Sequence, residues 1–297
     1  MGRIEFSMSG NILDGIEALV ALEQCRTISE AATRLRLTQS AVSKRIQALQ
    51  KTMGFRIVEP DGRRLKLTSD AVSLVERARP LLADLRSLTR SVPSGGVSTL
   101  SLALADSIAA SWGPQVVAEA LRGLTDLKVE LHAHRTVLLI ESVRLGRYHI
   151  GLSTDAPAAK DLIHHHVIDE PFVLVRSGYA AKAAQGAPFI VIEPGSATWR
   201  AIEPLLARHH PELLARRIVP VESFSAALQM IKAGFGDGLA PLGLVMEMGL
   251  EGRAFSLLPG VERRVSISTR KTVNQLASFQ RLREGIVRAA RRYFEAR

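Results

Sequence analysis

Ser40, Ser43, Lys44, Gln47 and Lys51 recur at helical spacing. They offer hydroxyl, amide and ammonium groups on one side of a helix, with no acid among them. That is the set a helix needs to meet base edges and phosphates in a major groove. Thr38, Gln39 and Arg45 lie on or beside the same segment, Ser29 precedes it, and Arg63 and Arg64 follow at a tight turn. Lys44 and Arg45 stand early enough on the helix to reach bases or phosphates, and Arg63 and Arg64 to reach phosphates or minor groove. A second polar set stands where apolar strand-like runs give way to helix-like ones. It comprises Asp106 and Ser107, Thr136, Ser196 and Thr198 with Arg200, and Ser223. Singly, each reads as a helix N-cap, although a helix N-terminus facing a cleft also suits an anion.

Other residue groupings carry less chemistry. His164, His165 and His166 invite a metal, but on a strand only the first and third share a face, and no acid or cysteine nearby completes a shell. The same holds for His132 and His134. Gly234, Gly236 and Gly238 follow a helix rather than a strand, so a tight helix-to-strand turn is expected, not a dinucleotide loop. Cys25 is the only cysteine, which excludes an intramolecular disulfide, and it reads as a small buried hydrophobe. There is no nucleophile–base pairing, phosphate-cradling loop or paired-carboxylate motif. Neither an enzyme, a metal nor a cofactor is expected.

The first polar set must be positioned by two short helices and a turn. Ser29 is placed to cap the first of them, Ala31, Ala32 and Leu35 give a narrow stripe that another helix can approach, and Leu37 pins the turn. Thr38 or Gln39 opens the second helix, whose Val42, Ile46 and Leu49 form its buried face. On periodicity alone an ordinary helical hairpin with a solvated face fits equally. The flanks favour the other reading. Upstream, Ile12, Leu13, Ile16, Leu19 and Val20 form an amphipathic helix able to cover the hairpin. Downstream, residues 55–68 read as strand, basic turn, strand, with Asp61-Gly62 as the turn signal.

Ala31-Ala32 through Leu37-Thr38-Gln39-Ser40-Ala41-Val42-Ser43, with the wing ending Leu65-Lys66-Leu67-Thr68, resembles the winged helix-turn-helix of LysR-type transcriptional regulators. The pattern departs at Pro60, where the family often has arginine, and at Ala71, where glycine is common. Residues 69–92 then show Ala71, Leu74, Ala78, Leu81, Leu85 and Leu88 at alternating spacings of three and four, a heptad seam suited to another helix. Pro80 allows a bend in that helix. In the resembled family this linker helix pairs with its copy in a second subunit. Residues 91–96 are the clearest linker in the chain.

Beyond it the texture is α/β. Strands are expected at 100–105, 128–134, 148–152, 164–175, 189–192, 216–221 and 263–269, with helices at 107–121 and 136–145 and from Thr198 and Ser223. This layout is similar to the two-lobed, periplasmic-binding-protein-like effector domain of the same family. The resemblance implies that Asp106, Ser107, Thr136, Ser196, Thr198 and Ser223 face one interlobe crevice, with Arg200 as the nearest counter-charge for a small anion. Asp106 would then reject wrong anions or bond an amine or hydroxyl on the right one, pointing to an amino or hydroxy acid.

The expected divisions are an N-terminal, all-α winged helix-turn-helix at 11–68, a linker helix at 69–92 and an effector domain at 97–297. Lobe I takes about 97–154 and 262–297, and lobe II about 161–260. The net charge of +10 sits at the ends: residues 1–68 hold 11 Lys/Arg against 7 Asp/Glu, and residues 261–297 hold 10 against 3. The N-terminal excess falls on the proposed reading head, as counterion release on DNA requires. The C-terminal excess lies on an amphipathic helix and reads as a solvated face, with a second DNA-touching surface as the alternative. No signal peptide or membrane span is apparent, so a cytoplasmic location is expected. The expectation is a sequence-specific DNA-binding regulator modulated by a small-molecule effector. Its partners would be double-stranded operator DNA, the effector, further copies of itself as a dimer of dimers, and RNA polymerase. The alternative is a two-lobed small-molecule-binding or transferase protein with a minor DNA-binding module.

Overall fold

The computed structural model describes residues 9–25, 27–61, 64–90, 98–154, 159, 161–177, 188–250 and 254–295. Contacts divide the chain into a unit ending at Thr89 and a unit beginning at Arg90.

In the first unit, α1 (Ser9–Cys25), α2 (Ile28–Leu35) and α3 (Gln39–Met53) precede a hairpin of β1 (Val58–Asp61) and β2 (Arg64–Leu67), and α4 (Ser69–Arg90) follows. The cap of α2 is Thr27, whose Oγ1 accepts a hydrogen bond from Glu30 N at 3.2 Å. Ser29, expected in that role, already lies inside the helix. Arg36 takes a left-handed conformation (φ 55°) to turn the chain out of α2, and Thr38 caps α3 by accepting from Ala41 N at 3.2 Å. Ala18, Leu19 and Leu22 of α1 close over Ala31, Ala32, Val42, Ile46 and Leu49 in one core. Leu13, expected on that covering face, is 41% exposed; the close-packing alanines at 18 and 21 are buried instead. In the wing Val58 pairs with Leu67 and Asp61 with Arg64. Thr68 Oγ1 donates to Arg56 O at 2.7 Å, fastening the base of the hairpin. Residues 91 and 92, the end of the expected linker helix, lie outside the described residues.

In the second unit one sheet of eight strands runs in the order β4-β3-β5-β10-β6-β9-β7-β8. The chain enters through β3 (Ser98–Ala105), α5 (Asp106–Ala109), α6 (Gly113–Ala120), β4 (Leu127–His134), α7 (Thr136–Arg144) and β5 (Ile150–Thr154). The long β6 (Leu162–Val175) then leads to β7 (Phe189–Ile192), α8 (Ala197–His209), α9 (Pro211–Leu214), β8 (Ile218–Val221), α10 (Phe224–Lys232), β9 (Asp237–Pro241) and α11 (Leu242–Glu247). β10 (Phe255–Arg270), α12 (Lys271–Asn274) and α13 (Ala277–Glu295) complete it. The helix expected over 107–121 is broken at Ala110–Trp112. Pro114 cannot donate to a continuing helix, and Gly113 lies so close to Ile108 that an added Cβ would sit 2.6 Å from its carbonyl oxygen.

β3 is parallel to β4 and β5, and β7 is parallel to β8 and β9, while β6 and β10 run antiparallel to each other through the middle. Both long strands serve two cores. Val167 and Val265 join a core with Leu102, Leu104, Trp112 and Phe279. Phe172 and Val261 join a second with Phe189, Trp199 and Ile231. The glycines at 234 and 236 make the turn from α10 into β9, as the sequence implied. At Gly236 (φ 149°) an added Cβ would also meet Pro188 O at 2.4 Å. No helix among the described residues is long and apolar enough to cross a membrane.

Candidate DNA-reading face and effector cavity

The α3 surface carries the polar set read from the sequence. Gln39, Ser40, Lys44, Gln47 and Lys51 are exposed and Ser43 is partly so, opposite the buried Val42, Ile46 and Leu49. Several of the candidates on and beside it have bonds within the protein itself. Arg45 is turned toward α1 and pairs with Asp14 at 3.1 Å, one helical step from the exposed Lys44. Gln39 Nε2 donates to Ser29 Oγ at 3.2 Å, tying the start of α3 to α2, and Thr38 Oγ1 lies 3.0 Å from Ser40 Oγ. Arg63 and the side chain of Arg64 lie outside the described residues. Along α4, Ala71, Val75, Ala78 and Leu82 are buried, whereas Leu81 is 64% and Leu85 46% exposed. The expected seam is thus split: its alanines pack inward and its middle leucines do not. The side chain of Leu88 is outside the described residues.

In the second unit a cavity of about 400 Å³ opens at the carboxyl ends of β3, β4, β5, β7 and β8. Crevices there are the usual ligand sites of open α/β sheets, and this volume suits a small molecule. Asp106, Ser107, Thr136, Ser196, Thr198 and Ser223 all line it. Arg200 does not: it is exposed and its Nη1 donates to Gly195 O at 2.8 Å. The cavity's arginine is Arg135, the residue before Thr136, which forms an ion pair with Glu193. Arg135, Glu193, Glu222 and Thr154 were not singled out from the sequence, although each stands beside a strand end that was. Ser196 Oγ accepts from Trp199 N at 3.0 Å, and Thr198 Oγ1 lies 3.0 Å from Thr154 Oγ1 in a buried pair. The N-termini of α7, α8 and α10 frame the space.

Beside the cavity lies a buried ion pair that no local pattern marked. Glu170 and Arg263 are register partners on β6 and β10, and both are 0% exposed. Arg263 donates to Glu170 Oε2 from Nε at 2.9 Å and from Nη2 at 2.7 Å. Glu170 Oε1 accepts from Trp112 Nε1 at 3.2 Å and from Gly243 N at 3.1 Å. An added Cβ at Gly243 would lie 2.3 Å from Trp112 Cδ1 and 2.8 Å from Glu170 Oε1. Gly243→Ala is therefore expected to lower stability by about 1–3 kcal/mol, the usual cost of overpacking, read as a lower urea midpoint.

The remaining candidates have protein partners. His164 Nδ1 lies 2.8 Å from Ser268 Oγ, His165 Nε2 is 2.6 Å from Asn274 Oδ1, and His166 pairs with Asp169 at 3.2 Å. His132 and His134 flank the Tyr148 ring, and His134 Nε2 is 2.6 Å from its hydroxyl. Among the described residues no three His, Cys, Asp or Glu cluster as a metal shell. On α13, Arg281 donates to Asp126 and holds that carboxyl below its usual range, while Arg292 pairs with Glu119. Part of the C-terminal basic excess is thereby spent within this unit.

Comparison with known proteins agrees with both halves. Residues 13–72 match the bacterial regulatory helix-turn-helix protein of the lysR family, and residues 93–291 match the LysR substrate binding domain. An uncharacterized HTH-type transcriptional regulator, YfeR of Shigella flexneri, is 27% identical over 272 residues, covering 87% of this chain and 88% of that protein. A probable hydrogen peroxide-inducible genes activator of Streptomyces viridosporus is 23% identical over 299 residues, covering 93% of each. Full-length CbnR, solved in complex with its target DNA, superposes with a TM-score of 0.65 at 19% identity, covering 93% of this chain and 99% of that one. With a helix-turn-helix in its first unit and a strand-end cavity in its second, the chain belongs to the LysR family of transcriptional regulators: it is an effector-modulated DNA-binding protein and not an enzyme.

Proposed function

We propose that α3 enters the major groove, with Ser40, Ser43, Lys44 and Gln47 as its contacts and the β1–β2 wing beside it. The observation that carries this is the acid-free polar face of α3, held rigid by the caps at Thr38 and Gly54 and by the Gln39–Ser29 bond. Lys44, rather than the Asp14-paired Arg45, supplies its central cation. Lys44→Ala is expected to weaken binding to the preferred site by about 1–3 kcal/mol if Lys44 meets a base edge. Anisotropy titrations on the gene's own upstream region and on scrambled DNA check this. Unchanged affinity and preference would remove Lys44 from the reading face.

The cavity, on this reading, holds a small effector. Helix N-termini and hydroxyls favour a carboxylate or similar anionic group, and Arg135 replaces Arg200 as the counter-charge. Asp106, Glu193 and Glu222 suit an amine or hydroxyl elsewhere on the same molecule, as in an amino or hydroxy acid. Peroxide sensing through a thiol in this half is excluded: residues 97–297 contain no cysteine, and Cys25 packs at the edge of the first unit's core. Ligand binding acts by favouring one lobe arrangement over another, which resets the geometry of paired subunits and so the spacing of their DNA-binding modules. We further propose a dimer of dimers working on DNA in the cytoplasm.

A further inference from the structure

The buried pair joins the cavity at one atom. Arg263 Nη1 donates to Ser107 Oγ at 2.7 Å, and Ser107 lines the cavity. A serine hydroxyl carries one hydrogen and two lone pairs, whereas a guanidinium only donates. Arg263 therefore takes a lone pair of Ser107 and offers no place for its hydrogen. It also draws electron density from the hydroxyl, making it a better donor. Arg263 is itself fixed by two bonds to Glu170, and its guanidinium carbon lies 5.9 Å and 5.7 Å from the Phe172 and Phe224 ring centres. Ser196 Oγ likewise accepts, from Trp199 N, and keeps its own hydrogen, but neither it nor the Thr154–Thr198 pair takes a bond from a buried cation as Ser107 does.

We propose that Arg263, held by Glu170, is a positioning residue for effector recognition. It sets the Ser107 hydroxyl as a donor into the cavity, so the effector places a carboxylate oxygen there. This rests on the cavity being the effector site. It adds to that reading a defined end of the ligand and a residue that acts without touching it.

The test uses the full chain, with thermal shift and calorimetry against acetate, succinate, benzoate, glycine, L-alanine, L-glutamate and L-lysine, each beside its primary amide. At least one carboxylate should bind about tenfold or more tighter than its amide, as charge-assisted bonds outlast neutral ones. Ser107→Ala should remove that preference and Ser107→Thr restore it. Arg263→Lys keeps a charge on Glu170 but loses the fork that reaches Ser107, and should bring the acid-to-amide ratio toward one. A merely structural Arg263 would lower the melting temperature and leave the ratio unchanged, which overturns the proposal. So does a panel in which no carboxylate binds, or one in which amides bind as tightly. Thr136→Trp, which fills the cavity, separates the two readings. A carboxylate lost in Thr136→Trp but retained in Ser107→Ala leaves the cavity standing and ends the role of Ser107 and Arg263. One retained in both variants places binding outside the cavity.

Discussion

Glu170→Ala is expected to destabilise the effector half by about 3–5 kcal/mol, because it strands a buried guanidinium whose partner is gone. Arg263 is fully buried, and loss of Glu170 Oε2 removes both of its bonds to that carboxylate. Loss of Oε1 also leaves the Trp112 indole and Gly243 N without the acceptor they share. Arg263→Ala should be comparably damaging, since it leaves a carboxylate uncompensated at the same place. The double change Glu170→Leu with Arg263→Met should cost less than either single one, as replacing both members of a buried pair by apolar groups often does. Urea unfolding followed by tryptophan fluorescence suits the measurement. The chain has two tryptophans, Trp112 and Trp199, and they sit in the two cores of this half. Equal midpoints for wild type and Glu170→Ala would show that the pair does not stabilise the packing around β6 and β10.

That pair also marks where sequence reading stops. Strand and helix order in the effector half was legible because apolar runs of strand length alternate with amphipathic segments. The strands expected at 100–105, 128–134, 164–175, 189–192 and 263–269 fall within β3, β4, β6, β7 and β10, while those expected at 148–152 and 216–221 begin two residues ahead of β5 and β8. Glu170 and Arg263 lie far apart in the chain, each beside another charged residue, and only the antiparallel register brings them opposite one another. The break before Gly113 was in principle legible, since Trp-Gly-Pro is a helix interruption by chemistry alone.

The cavity residues divide along similar lines. Thr136, Ser196, Thr198 and Ser223 were found because hydroxyls at strand-to-helix junctions announce themselves. Arg200 was misplaced through geometry: it is two residues past Thr198, about 200° round the helix, so if one faces the cleft the other faces away. Arg135 precedes Thr136 at the end of β4, a position that points into the crevice, yet nothing in its neighbours distinguishes it from a solvated arginine. The same rotation separates Lys44 from Arg45, adjacent residues about 100° apart, of which one is exposed and the other meets Asp14.

Glutamate at both Leu81 and Leu85 is expected to convert the protein to a species that no longer pairs through α4 and binds operator DNA at least about a hundredfold more weakly. The two leucines stand four residues apart on one face of α4 and are exposed, while Ala71, Val75, Ala78 and Leu82 take the inward face. Exposed leucines at that spacing fit the proposed pairing with a second copy of the helix, where two glutamates per chain would put four charges into an apolar seam. Losing the pair loses simultaneous engagement of two half-sites, and with it the effective concentration that ties the second module to the DNA. Stability of the single chain should barely change, because neither side chain belongs to the core of its own unit. Val75→Glu, on the inward face, 3% exposed and part of that core, is the contrasting control and should destabilise the first unit itself. Sedimentation velocity and anisotropy titration at matched concentrations read both effects. A double variant that still sediments with wild type and binds operator normally would place the interface on another surface.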